Sequence, residues 1–141
     1  MLVRLLYASH AADTIDAATI GAILQQSRRH NTPSGITGVL CHSERFYLQL
    51  IEGGREQVNV LYARILSDTR HRGVTLLRYE EISQRRYAGW AMGQTNLDKL
   101  NPGTVLRYSM LPEFDPFALG GESSLSLIDE LMAGAAVLGR A

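Results

Sequence analysis

The residue with the most chemistry to offer is Gln49, a long amide inside the run Arg45-Phe46-Tyr47-Leu48-Gln49-Leu50-Ile51, which otherwise reads as buried strand. Strand side chains alternate faces, so Tyr47, Gln49 and Ile51 share one face while Phe46, Leu48 and Leu50 share the other. Both faces are apolar, which makes Gln49 a buried primary amide, a group that costs about 1–3 kcal/mol unless hydrogen-bonded. It both donates and accepts, and a half-turn about its last torsion exchanges its two ends. Tyr7, at the polar-tipped end of the row Val3, Leu5, Tyr7, Ser9, and Asn31, at the inward end of a helix, are the next candidates. Taken singly, each reads equally as structure: Gln49 satisfying a loop, Tyr7 an ordinary core tyrosine, Asn31 a C-cap.

The elements that must position these groups follow from periodicity. Val3 to Ser9 is a strand. A helix from about Asp16 to His30 carries the stripe Ile20, Ile23, Leu24 and Ser27, which continues to Asn31, and Thr32-Pro33-Ser34-Gly35 ends it. Ile36 to His42 and the Gln49 strand, joined at Ser43-Glu44, form an antiparallel hairpin. A second helix from about Arg55 to Ser67 places Val58, Leu61, Tyr62 and Ile65 on one face. Val74 to Ile82 is a fourth strand, and Trp90 to Thr95 is read as a fifth. The order βαββαββ predicts an α+β, ferredoxin-like mixed sheet with two helices on one face.

Asn101-Pro102-Gly103 and Leu111 to Pro116 mark a change of organisation. Beyond them, Leu127, Ile128, Leu131, Ala135 and Leu138 recur at helical spacing from about Ser124. This C-terminal helix is expected to cover the opposite sheet face, where Phe46, Leu48 and Leu50 need a partner; a partner-binding helix is the other reading. The chain is thus expected to divide into a unit at 1–96 and a helical extension at 97–141.

Composition excludes several classes. With 141 residues, 45% of them hydrophobic, and 14 basic against 14 acidic side chains, the chain suits a globular fold with no net field to steer it to nucleic acid or an anionic membrane. The single cysteine, Cys41, leaves no internal disulfide framework and fits a reducing, cytoplasmic setting. No signal-peptide core or membrane-length apolar run is present. The four histidines, at 10, 30, 42 and 71, lack metal-ligand spacing, so no metal is expected. No nucleophile elbow, phosphate loop or dinucleotide fingerprint occurs, and Glu80 and Glu81 are neighbours on a strand and so point to opposite faces. An enzyme is not expected here, and any chemistry would have to come from a bound cofactor.

Several linked features do match a known pattern: Tyr7-Ala8-Ser9; His30-Asn31 followed by Gly35-Ile36-Thr37-Gly38; Phe46 to Gly53; Asp68-Thr69-Arg70-His71; and Ile82 through Arg85-Arg86-Tyr87 to Gly89-Trp90-Ala91-Met92. In their joint order and spacing, over about Leu2 to Thr95, the chain resembles the BLUF family, flavin-binding sensors of blue light. The resemblance implies FAD as cofactor, with FMN or riboflavin as substitutes on heterologous production. It also implies a short, stand-alone member that passes its signal to an effector on a separate chain, and a homo-oligomer.

The resemblance also implies roles. Tyr7 matches the electron donor to photoexcited flavin, Gln49 the glutamine between that phenol and the flavin edge, and Asn31 the asparagine that hydrogen-bonds the ring. Trp90 and Met92 match strand residues whose position is thought to change with light. Ser9, Ile23, Leu24, His30 and Ile65 complete the expected cofactor contacts, with Arg64, Asp68, Arg70 and His71 near the ribityl chain and phosphates. Arg64 and Asp68, at i,i+4, read equally as a surface ion pair. The alternatives are a ferredoxin-like interaction module without photochemistry and a small acylphosphatase-like hydrolase, and flavin colour in the purified protein separates them.

Overall fold

A computed structural model describes residues 1–135. Five strands, β1 (Leu2–Ala11), β2 (Thr37–His42), β3 (Phe46–Gly54), β4 (His71–Ile82) and β5 (Gly93–Asn96), form one sheet in the order β4-β1-β3-β2-β5. All neighbours are antiparallel except β2 and β5, which run parallel. Helices α1 (Ala17–Asn31) and α2 (Arg55–Ser67) interrupt the strands, giving the ferredoxin-like βαββαββ order expected from the sequence.

Alternation along the two central strands builds the layers. On one face Val3, Leu5, Tyr7 and Ile51 pack with Ile36 and with Val58, Leu61, Tyr62 and Ile65 of α2. Ile20 and Leu24 of α1 meet Leu40, Tyr47 and Met92 beside them. On the other face Leu6, Ala8, Leu48 and Leu50 meet Leu125, Ile128 and Met132 of α5 (Gly121–Ala135). Leu48 and Leu50 are fully buried there, each burial being worth about 1.5–3 kcal/mol. The C-terminal helix therefore does cover the face that needed a partner. It starts at Gly121, three residues earlier than expected, where a Cβ would press on the Leu77 carbonyl oxygen of β4. Leu138, expected on the same stripe, lies outside the described residues.

Three further differences have local causes. β4 begins at His71 rather than Val74, because two register shifts let its pairing with β1 continue to Ala11↔His71. The fifth strand begins at Gly93 rather than Trp90, so Trp90 and Met92 are not strand residues. Two short helices, α3 (Pro102–Leu106) and α4 (Pro116–Leu119), fill the connection to α5. Each opens with proline behind a capping side chain: Asn101 accepts from the Gly103 N–H at 2.7 Å and Asp115 from the Phe117 N–H at 3.0 Å.

A buried ion network fixes the connection between β4 and β5. Fully buried Glu52 accepts from Arg4 Nε at 2.8 Å, and its carboxylate also takes the backbone N–H groups of Arg86 and Tyr87 at 2.9–3.1 Å. Arg4 in turn reaches Glu80 at 2.8 Å. Desolvating these charges is costly, but paired and hydrogen-bonded as they are they hold one geometry. Beyond the loop, Arg86 and Tyr87 both bond Asp129 of α5.

Candidate flavin site

Tyr7 and Gln49 face each other in the β1–β3 register, on the side of the sheet covered by α1 and α2. The Tyr7 hydroxyl donates to Gln49 Oε1 at 2.5 Å, and Gln49 Nε2 lies 3.5 Å from Met92 Sδ. Between α1 and α2 a cavity opens above this pair. Ile23, Leu40, Leu61 and Ile65 give it apolar walls, while Tyr7, Gln49 and Asn31 give it a polar edge. Asn31 is the last residue of α1 and only 4% exposed, and among the described residues its amide has no hydrogen-bond partner. Its own carbonyl is engaged, accepting from Ser34 and Ile36 N–H.

The far side of the cavity is ordered by His71. Its Nε2 lies 2.6 Å from the Ile65 carbonyl, which can only accept, so Nε2 carries the proton. Nδ1 then accepts from Ser9 Oγ at 2.7 Å. The imidazole stands edge-on to both Tyr7 and Tyr47. At the rim, Arg70 Nε sits 3.0 Å from both oxygens of Asp68, and its Nη2 reaches Gln26 of α1 at 3.3 Å. The Arg70 hydrogen bond holds the Asp68 carboxyl below its ordinary value, and the same bond raises the Arg70 guanidinium. Burial, reinforced by the Asp68 charge, pushes the Tyr7 phenol far up, so Tyr7 is a neutral hydrogen-bond donor. An apolar slot, a hydrogen-bonding edge with a spare amide and a charged rim fit a flat aromatic ring with polar edge atoms and an anionic tail. Isoalloxazine is such a ring.

Residues 2–93 match the family of sensors of blue light using FAD. The chain belongs to the BLUF family. The units of this family are sensors of blue light that use FAD. The blue light- and temperature-regulated antirepressor BluF of Escherichia coli (strain K12) is 33% identical over 87 residues, covering 62% of this chain and 22% of that protein. Photoactivated adenylate cyclase subunit beta of Euglena gracilis is 34% identical over 131 residues, 76% of this chain and 15% of that protein. The dark-state structure of the BLUF protein BlrB superposes with a TM-score of 0.76 at 27% identity, covering 95% of this chain and 96% of that one. The chain thus spans less than a quarter of the two longer relatives.

Within this BLUF unit, Tyr7, Ile23, His30, Asn31, Gln49, Arg64, Ile65, Asp68, Arg70 and His71 all line the cavity. Four expected residues stand off it. Leu24, next to Ile23, points about 100° further round α1 and packs in the cluster with Leu40 and Met92. Ser9 acts through His71, being fully buried behind it. Trp90 lies on the opposite sheet face with Ile128 and Met132, whereas Met92 stands behind Gln49. The reason is that residues 90–92 bend instead of extending, so i and i+2 lose their common face. Sequence reasoning missed Gln26, Ser27, Leu40, Tyr47 and Leu61 as cavity residues. Strand parity with Gln49 was a signal for Tyr47, and the four-residue step to Ile65 was one for Leu61.

Proposed function

We propose that light sensing in this chain runs through Tyr7 as electron and proton donor and Gln49 as the group that is switched. The observation that carries this reading is the 2.5 Å bond from the Tyr7 hydroxyl to Gln49 Oε1, with Asn31 beside it on the same cavity edge. When bound, the flavin supplies light absorption and an excited-state one-electron oxidant. Tyr7 is the donor at that edge, and as it loses an electron its phenolic proton has one acceptor in reach, Gln49 Oε1. Return of electron and proton restores the Tyr7 phenol, while Gln49 is left rotated or tautomerised with its donor and acceptor ends exchanged. Asn31 holds the ring edge in place, and Arg64 and Arg70, the latter paired with Asp68, bring guanidinium groups suited to phosphate to the cavity mouth.

Output then passes to an effector on another chain through the 97–141 segment, while 1–96 acts as the sensor. Gln49 contacts Met92, the loop ahead of Met92 hangs on Glu52, and Arg86 and Tyr87 of that loop bond Asp129 of α5. These contacts support coupling only as a bistable packing element biased by Gln49. We also propose self-association, supported by Leu76 and Tyr79, large apolar side chains exposed on edge strand β4. The balanced charge argues against a nucleic-acid partner, and free, buried Cys41 suits the cytoplasm. No turnover is assigned to the chain itself. Among the described residues no helix is long and apolar enough to cross a membrane.

The test is the dark spectrum of the flavin-loaded chain against its spectrum under steady blue light. A small red shift that reverses in the dark is expected, and an unchanged spectrum would refute the reading.

A further inference from the structure

Trp90 and Met92 are two residues apart yet lie on opposite faces of the sheet. Met92 is fully buried with Leu40 and Tyr47 on the cavity side, while Trp90 packs with Ile128 and Met132 on the α5 side. The backbone must therefore turn between them, and two hydrogen bonds hold the turn. The Gly38 N–H donates to the Trp90 carbonyl at 3.1 Å. Arg28 Nη2, reaching over from α1, donates to the Met92 carbonyl at 3.0 Å. Among the described residues the Arg28 guanidinium has no other side-chain hydrogen bond or ion pair.

We propose that Arg28 is a positioning residue for the light-driven switch: its bond to the Met92 carbonyl holds Met92 Sδ against the Gln49 amide and keeps Trp90 on the α5 side. The inference rests on the Tyr7–Gln49 photosensor reading. A guanidinium on a carbonyl is a charge-assisted bond, stronger than the neutral ladder bonds around it. It roots the Met92 side chain at its backbone, which is what lets a flexible thioether stay 3.5 Å from Gln49 Nε2. Without that root, residues 90–92 are free to straighten. The parallel β2–β5 pairing starts at Val39↔Gly93, and continuing it by one residue sets Met92 beside Gly38. Straightening also lifts the Trp90 ring, which now lies so close over Gly93 that a Cβ there would be 2.6 Å from its Cε3. Arg28 stands one turn before Asn31, so it ties the helix that supplies the ring-holding amide to the segment that touches Gln49.

The chain has one tryptophan and four methionines, so in this chain the Trp90 indole N–H and the labelled Met92 methyl each give a separable NMR signal. In the dark, flavin-loaded Arg28→Ala is expected to keep its flavin content but to show a second Met92 and a second Trp90 signal. The minor arrangement should rise by about tenfold, as suits loss of one charge-assisted bond, and the dark-recovery rate should change with it. Arg28→Lys keeps a cationic donor and should return both signals towards single peaks. Wild-type Met92 and Trp90 signals in Arg28→Ala would overturn the inference, as would a loss of flavin or of melting temperature with no splitting. If the wild-type chain bound no flavin, the photosensor reading would fail instead. The same two signals in the flavin-free variants would still decide the Arg28–Met92 bond.

Discussion

The Tyr7 hydroxyl and Gln49 Oε1 meet at 2.5 Å because Tyr7 and Gln49 are partners in the β1–β3 ladder. The contact is set by strand register and not by a loop, and a one-residue slip would turn one of the two side chains to the other face. It also leaves Gln49 with one end on a phenol and the other on a thioether, a polar group and a soft one.

Tyr7→Phe is expected to retain flavin and lose the red-shifted state. The ring still packs, but the electron and proton source is gone and buried Gln49 Oε1 loses its donor, at a cost of about 1–3 kcal/mol. Light-minus-dark spectra and urea unfolding of the same sample check both parts. A normal light–dark cycle in this variant would remove Tyr7 from the mechanism.

Gln49→Leu should bind flavin and not switch, since the only group whose ends can exchange between Tyr7 and Met92 has been removed. Its spectrum should be the same in darkness and under blue light.

Asn31→Ala should act on affinity. The amide has no protein partner among the described residues, so truncation leaves the fold intact while the ring loses one or two edge hydrogen bonds. Flavin affinity should fall by about tenfold or more, measured by calorimetric titration. An unchanged affinity would place the ring edge elsewhere.

Alkaline pH should destabilise the fold through its buried phenols. Burial raises Tyr7 above the ordinary phenol value of 10.0, and burial, reinforced by Asp129, does the same for Tyr87. Below 10.0 both states hold the proton and stability is unaffected. Above it the unfolded chain ionises while the folded chain does not, so stability falls as pH rises towards the folded values. Tyrosinate absorbance from these two residues should emerge only together with unfolding, and Tyr7→Phe should shrink the alkaline loss.

Arg4→Leu should destabilise the chain by about 3–5 kcal/mol, because it strands the Glu52 carboxylate in a fully buried site. The double variant Arg4→Leu/Glu52→Leu should recover part of that loss in urea unfolding. Fully additive losses would mean that the two groups are not coupled.

Local pattern in the sequence determined the faces: the period of two put Tyr7 and Gln49 on apolar rows, and the helical period carried the α1 stripe to Asn31 and gave β3 its C-terminal cover. Those are near-neighbour properties, fixed by backbone geometry wherever the residues occur. Which strands adjoin is a long-range outcome, so the Tyr7–Gln49 register, the pairing of Arg4 with Glu52 and the Ser9–His71–Ile65 chain came only with the tertiary structure. The same holds for Trp90 and Met92. Alternation alone put both on one face, but the backbone turns between them with a bond from Arg28, 64 residues earlier in the chain, at the turn, and no local period records a donor that distant.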